Sequence, residues 1–387
     1  MRDFPKIISV DDHVVEPPTV WTDRLASKHH GVAPRIVRAP VKEMTFIGGK
    51  FTPVVGERGD GPDVDWWFYE DLRRPLIRLD ASVGHDRDEV RLEGTTYEWM
   101  RPGAHQVKPR LDDMDANWTE ASLCFPTFPR FCGQTFLEAD DKELALLCVR
   151  AYNDWMVDEW CGESGGRLIP LCLIPLWDAS LAAAEVRRNA ARGVHAVCFS
   201  EIPPFLGLPS VHDADNFWHP FFAACEETET ASTSADAPPA VGSTLTFANA
   251  CYSLVDWLMC GAFTHFPNLE IAYSEGQIGW IPYILERADV VWEENRGWGG
   301  VADKVPVAPS ELFRDHVYGC FFNDAHGLKS LDAIGVGNVT YESDYPHSDS
   351  TWPHTRQIAE EQMKGLDDDV IEKIVRGNAI RMLRLDL

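Results

Sequence analysis

Residues 7–18 read Ile7-Ile8-Ser9-Val10-Asp11-Asp12-His13-Val14-Val15-Glu16-Pro17-Pro18. An apolar run of strand character, Ile7 to Val10, passes straight into two carboxylates and an imidazole. Side chains two apart on a strand share a face. Asp11 and His13 therefore point the same way, and Asp12 points the other way. A carboxylate and an imidazole so spaced can chelate one divalent cation through oxygen and nitrogen. The plainer alternative is an aspartate that caps a turn and a histidine that faces solvent.

Further apolar runs follow at Ala121 to Phe125, Leu168 to Leu176, Ala196 to Ser200, Ile271 to Ser274, Val317 to Phe322 and Val339 to Ser343. Near-continuous apolar strands suit a parallel sheet buried on both faces. Helical patterns lie between them, as in Asp141 to Trp160, Leu181 to Arg192 and Asp367 to Leu385. Strand and helix in alternation predict a parallel α/β fold. Acidic residues close four of the runs: Asp11 after Val10, Glu201 after Ser200, Glu275 after Ser274 and Asp344 after Ser343. In a closed barrel, the C-terminal ends of the strands carry the active site. The fold expected is a (β/α)8 TIM-type barrel in one domain over residues 1–387.

Residues 34–110 break the alternation and are rich in Gly, Pro and Trp, with Asp65-Trp66-Trp67-Phe68-Tyr69 at their centre. They read as a β-rich insertion after strand one. The insertion is either a lid that desolvates the site or an aromatic cluster packed on the barrel flank.

Composition narrows the functions. Acids outnumber bases 61 to 35, a net charge of −26, with 45% hydrophobic and 25% charged residues. Nucleic-acid binding needs clustered Lys and Arg, so it is excluded as an expectation. No apolar run of about 18 residues is present, so no membrane span is expected, and the N-terminus has no signal-peptide pattern. The ten cysteines form no C-x-x-C pair. They read as buried reduced thiols in a cytoplasmic protein.

Near the C-terminus stands Tyr341-Glu342-Ser343-Asp344-Tyr345-Pro346-His347-Ser348-Asp349. Asp344 ends a strand, where its carboxylate can bind a metal or accept a proton from metal-bound water. A helix cap is the alternative, but Ser348 or Asp349 serves that equally well. This motif, the Asp11-to-Pro18 opening, and Ser274-Glu275-Gly276-Gln277-Ile278-Gly279-Trp280-Ile281-Pro282 together resemble the amidohydrolase superfamily, in its amidohydrolase-related branch. That branch includes gamma-resorcylate decarboxylase and the carboxymuconate-semialdehyde decarboxylases. The resemblance spans nearly the whole chain.

It implies one divalent metal ion, zinc first and manganese second, held by Asp11, His13 and Asp344. It implies catalytic roles for Asp344 and Glu275, although a rim salt bridge is an equal reading of Glu275. Trp280, His347 and Glu201 are the expected substrate contacts. The activity implied is decarboxylation, or else hydrolysis, of a small carboxylated aromatic or unsaturated substrate, by a homodimer or homotetramer.

One feature departs from the family pattern. A third metal ligand, a histidine ending strand five, is expected between Glu227 and Thr246, and no histidine occurs there. The segment also lacks an apolar run, so strand five is expected to be missing and the barrel distorted. His212 and His219 are the available substitutes, and His195 a poorer one. The rival function is a catalytically impaired barrel that binds a ligand or assembles oligomers.

Overall fold

The computed structural model describes residues 4–47, 50–86, 89–200, 202–228, 231–233, 239–295, 300–301 and 303–387. In chain order the strands are β1 Ile7–Val14, β2 Arg35–Ile47, β3 Lys50–Val55, β4 Asp63–Tyr69, β5 Leu72–Pro75, β6 Thr119–Pro126, β7 Leu168–Ile169, β8 Ala196–Cys198, β9 Ala231–Thr233, β10 Ile271–Tyr273, β11 Val317–Phe321 and β12 Val339–Tyr341. Eight of them form one parallel sheet in the order β7-β6-β1-β12-β11-β10-β9-β8. The two ends meet through Cys172, which bridges Val197 in parallel. Cys172 N donates to Ala196 O at 3.1 Å, and Cys198 N donates to Cys172 O at 2.9 Å. The sheet is thus a closed barrel, and each of the seven apolar runs contributes one of its strands.

The eighth strand corrects an expectation. Strand five is not missing: it is β9, with Ala231 paired to Ala196, Ser232 to Val197 and Thr233 to Cys198 on one side. On its other side Ser232 pairs with Ile271. Ladder bonds are made by backbone groups, so Ala-Ser-Thr fills the slot without any apolar signature. An unfilled slot would leave two open ladders in the barrel wall.

Helices cover the outside. The helix Lys142–Trp155 starts where the Asp141 carboxylate accepts from Glu143 N and Leu144 N. The helix Ala179–Ala190 starts where Asp178 accepts from Ser180 N and Leu181 N. In both, the side chain satisfies amide groups that have no partner inside the helix.

After β1 the chain builds a second, antiparallel sheet in the order β3-β2-β4-β5. Its apolar face packs on the barrel. Trp67 and Trp66 are fully buried. Trp67 packs tilted against Phe128 at 4.8 Å and meets Trp21 edge-on at 5.1 Å, and Trp66 Nε1 donates to Ala39 O. Both tryptophans are packing residues. The chain that follows this sheet approaches the barrel mouth: Ser82 N and Val83 N both donate to Pro346 O, two residues beyond Asp344.

Candidate metal and active site

The site begins with β1, whose eight residues are all buried. Alternation separates its charged side chains as their spacing predicts. Asp12 faces away from the mouth and is saturated by hydrogen bonds. Its carboxylate accepts from Ser9 Oγ (2.8 Å), Ser122 Oγ (2.5 Å), Ser343 Oγ (2.7 Å) and Tyr345 N (3.1 Å). It therefore ties β1 to β6 and to the turn after β12. The two ends of the chain are joined again by backbone: Asp344 N donates to Asp11 O, and His13 N to Tyr345 O. The buried Arg110 guanidinium donates twice to His13 O.

Asp11 and His13 face the mouth and have no such partners. Both Asp11 carboxylate oxygens, His13 Nε2 and Asp344 Oδ1 are buried without a hydrogen-bond partner. Their polar neighbours are one another, Glu275 and His347. His13 Nε2 lies 3.3 Å from Asp11 Oδ1, 3.3 Å from Asp344 Oδ1 and 3.4 Å from Glu275 Oε1. The His347 ring stacks on the His13 ring with centroids 3.6 Å apart. His347 Nδ1 is 2.9 Å from Asp344 Oδ1 and 3.7 Å from Glu275 Oε1. His13, Glu275, Asp344 and His347 each offer a ligand atom within 4.8 Å of the others.

Burial and crowding distort the titration of all these groups. Burial pushes the Asp11 carboxyl up to about 7, against the pull of His13. Burial alone would lower His13, but contact with Asp11, Asp344 and Glu275 outweighs it and holds the imidazole well above its usual value. Burial likewise opposes the charging of His347, and Asp344 wins, raising it to about 10. Burial would raise Asp344 and Glu275, yet the two histidines hold both below the ordinary carboxylate range. Three ionised carboxylates held together here call for compensating positive charge, which two protonated imidazoles can supply. A bound cation does the same service and also satisfies the orphaned oxygens and nitrogen. The residues present fit a divalent metal ion.

The backbone is held in a sparsely populated region at this cluster. Glu275 (φ 52°), Gln277 (φ 54°) and Asp344 (φ 54°) all take the left-handed conformation without being glycine. Such residues persist where surrounding bonds enforce them, and they gather at functional sites. The enforcing groups are residues that the sequence reading passed over. Glu342 Oε2 accepts from Glu275 N (3.2 Å) and from Cys320 Sγ (2.6 Å). Asp324 accepts from Ile278 N, Gly279 N and Gly327 N. Glu342 was legible, since it lies two residues before Asp344. Asp324 had no local signal.

The other residues singled out by the sequence have different contacts or lie outside the described residues. Trp280 spends its N–H on Gly276 O and Gln277 O of its own loop. Glu201 lies outside the described residues. His212 is beside Asp256, His219 meets His265 and Phe266, and His195 is next to Thr228 O. None of the three joins the cluster as a substitute for a fifth-strand ligand. The nitrogen that does join, from His347, was expected to touch substrate instead.

No curated protein matches the sequence. Among solved structures, an amidohydrolase from Mycobacterium avium subsp. paratuberculosis K-10 is similar over 100% of both chains, with a TM-score of 0.68 at 20% identity. The 5-carboxyvanillate decarboxylase LigW from Sphingomonas paucimobilis is similar over 73% of this chain and 84% of its own, with a TM-score of 0.59 at 22% identity. A dihydroxybenzoic acid decarboxylase from Polaromonas sp. JS666, solved with manganese and 2-nitroresorcinol, is similar over 74% and 89%, with a TM-score of 0.59 at 18% identity. At these identities the likeness speaks for the TIM-barrel fold. The sequence itself matches the family model described as amidohydrolase. Because that match runs from residue 29 to residue 385, the chain belongs to the amidohydrolase family.

Proposed function

We propose that this chain is a metal-dependent decarboxylase of a small carboxylated aromatic or unsaturated acid. The observation that carries the reading is the set of buried, unpartnered ligand atoms on Asp11, His13 and Asp344. Asp11, His13 and Asp344 would hold the cation, with Glu275 Oε1 facing them. Two carboxylates to one imidazole make a harder donor set than zinc usually takes, which favours manganese. The fold neighbour solved with manganese agrees with that choice. When bound, the metal supplies Lewis-acid charge that anchors an anionic substrate.

The protein's own part is proton delivery and positioning. Loss of CO2 leaves an electron pair on carbon that must receive a proton. Asp344 stands at the strand end within the cluster, so it is the group assigned to carry a proton from water to that carbon. Glu275 would accept a hydrogen bond from a substrate hydroxyl, and the ring of Trp280 would wall the apolar side. The segment through Ser82 and Val83, bonded to Pro346 O, would act as a lid that excludes water. Hydrolysis by the same residues remains the alternative chemistry. The reading as an impaired barrel has one support, the lack of any histidine between Glu227 and Thr246.

The purified protein should contain stoichiometric divalent metal and release CO2 from at least one member of a panel of hydroxybenzoic acids. Asp344→Asn should lower turnover by about 10²–10⁴-fold, the usual contribution of a proton-transfer group. Metal-loaded protein that turns over no acid, with release of amine or alcohol from amides or esters, would shift the assignment to hydrolysis. Protein that binds no metal at all would sink the enzyme reading.

A further inference from the structure

The metal site just proposed has one nitrogen donor, His13, among its assigned ligands. The fifth strand adds none, since β9 is Ala231-Ser232-Thr233. A second imidazole nevertheless reaches the cluster from another direction. His347 sits on the turn after β12, where its amide donates to Asp344 O at 2.9 Å. That bond and the stack on His13, with ring planes 26° apart, fix where the imidazole stands.

The side-chain contact between His347 and Asp344 is informative. Nδ1 and Oδ1 are 2.9 Å apart, yet Asp344 Oδ1 has no hydrogen-bond partner. The two atoms are close without being aligned as donor and acceptor. Ligand atoms that converge on one cation show this relation, because each lone pair points at the ion rather than at its neighbour. His13 Nε2, also 3.3 Å from Asp344 Oδ1, is unpartnered in the same way. The two stacked imidazoles and the carboxylates of Glu275 and Asp344 each bring a ligand atom within 4.8 Å of the others.

We propose that His347 is a metal ligand, forming with Asp344 an Asp-x-x-His chelate that supplies the second nitrogen in place of any ligand from the fifth strand. This rests on the metal-site reading above, and it replaces the substrate contact that the sequence suggested for His347. It also bears on the impaired-barrel alternative, because a site that recruits nitrogen from the turn after β12 does not need one from β9.

The test counts nitrogens and does not depend on turnover. The protein is loaded with Cu2+, which accepts a tetragonal set of nitrogen and oxygen donors, and pulsed electron paramagnetic resonance reads the modulation from coordinated imidazole. Two imidazoles are expected in the wild type and one in His347→Ala. Competition with a chromophoric chelator should show His347→Ala weakening Mn2+ and Zn2+ binding by about tenfold or more, since losing even an outer partner of a ligand costs that much. A wild type that binds metal through one imidazole overturns the proposal and leaves the metal site standing. Folded His347→Ala with unchanged affinity does the same. A wild type that binds no metal overturns both. The wild-type nitrogen count decides the matter even if His347→Ala fails to fold.

Discussion

Single residues in this protein are set apart by which neighbours satisfy them. Asp11 and Asp12 are adjacent and equally buried, yet Asp12 is saturated by hydroxyls and an amide while Asp11 is orphaned. Strand alternation puts the two on opposite faces, which was readable from the spacing, while the distant partners of Asp12 were not. Glu16 shows a third outcome. Its buried carboxylate accepts from Thr127 N and Phe128 N at 2.9 Å each. Burial nevertheless outweighs those bonds and raises it to about 7 from 4.5. Between those two values the folded protein holds a proton that the unfolded chain has released. Its contribution to stability is therefore largest below pH 4.5 and is lost as pH rises through about 7. Glu16→Gln removes this dependence, and it turns an amino group toward a backbone N–H, which costs about 1–3 kcal/mol. In urea denaturation the variant should trail the wild type clearly at pH 5 and by less at pH 8. A gap that stays constant across that range would contradict the assignment.

At the scale of elements, the informative ones are the shortest and the least expected. β9 has three residues and closes the barrel wall between β8 and β10. Ser232→Pro removes one ladder amide and leaves its acceptor carbonyl unpaired, at a cost of about 1–3 kcal/mol. Chemical denaturation should show that loss, and hydrogen exchange at Ala196 to Cys198 should speed up with it. Unchanged exchange there would mean that β9 is not part of the wall. The antiparallel sheet β3-β2-β4-β5 depends on a different force. Trp67 is wedged between Phe128 and Trp21, so Trp67→Ala should cost about 3–5 kcal/mol as a large buried aromatic. Limited proteolysis should then cut within residues 34–110 before the barrel is cleaved. Cleavage of both at the same rate would show that the sheet does not depend on this contact.

For the whole molecule, net charge bears on the proposed metal site. The chain carries a net charge of −26, and its most crowded carboxylates stand at the barrel mouth. A ligand bound only by the folded state stabilises it by about 2.7 kcal/mol at a hundredfold excess over Kd. Chelation should therefore lower the melting temperature, and Mn2+ should restore it. An unchanged melting curve after verified metal removal would argue against a site at Asp11, His13 and Asp344. What the sequence by itself determined was the order of seven barrel strands and the helices between them, the shared face of Asp11 and His13, and the positions of Glu275 and Asp344 at strand ends. These are local properties, written in periodicity and in the residue that follows each apolar run. Tertiary structure alone decided that Ala231 to Thr233 would act as a strand. It alone brought Asp324 and Cys320 behind Glu275 and stacked His347 on His13. Those outcomes depend on contacts between residues tens to hundreds of positions apart, and on backbone hydrogen bonds that do not register which side chains they pass.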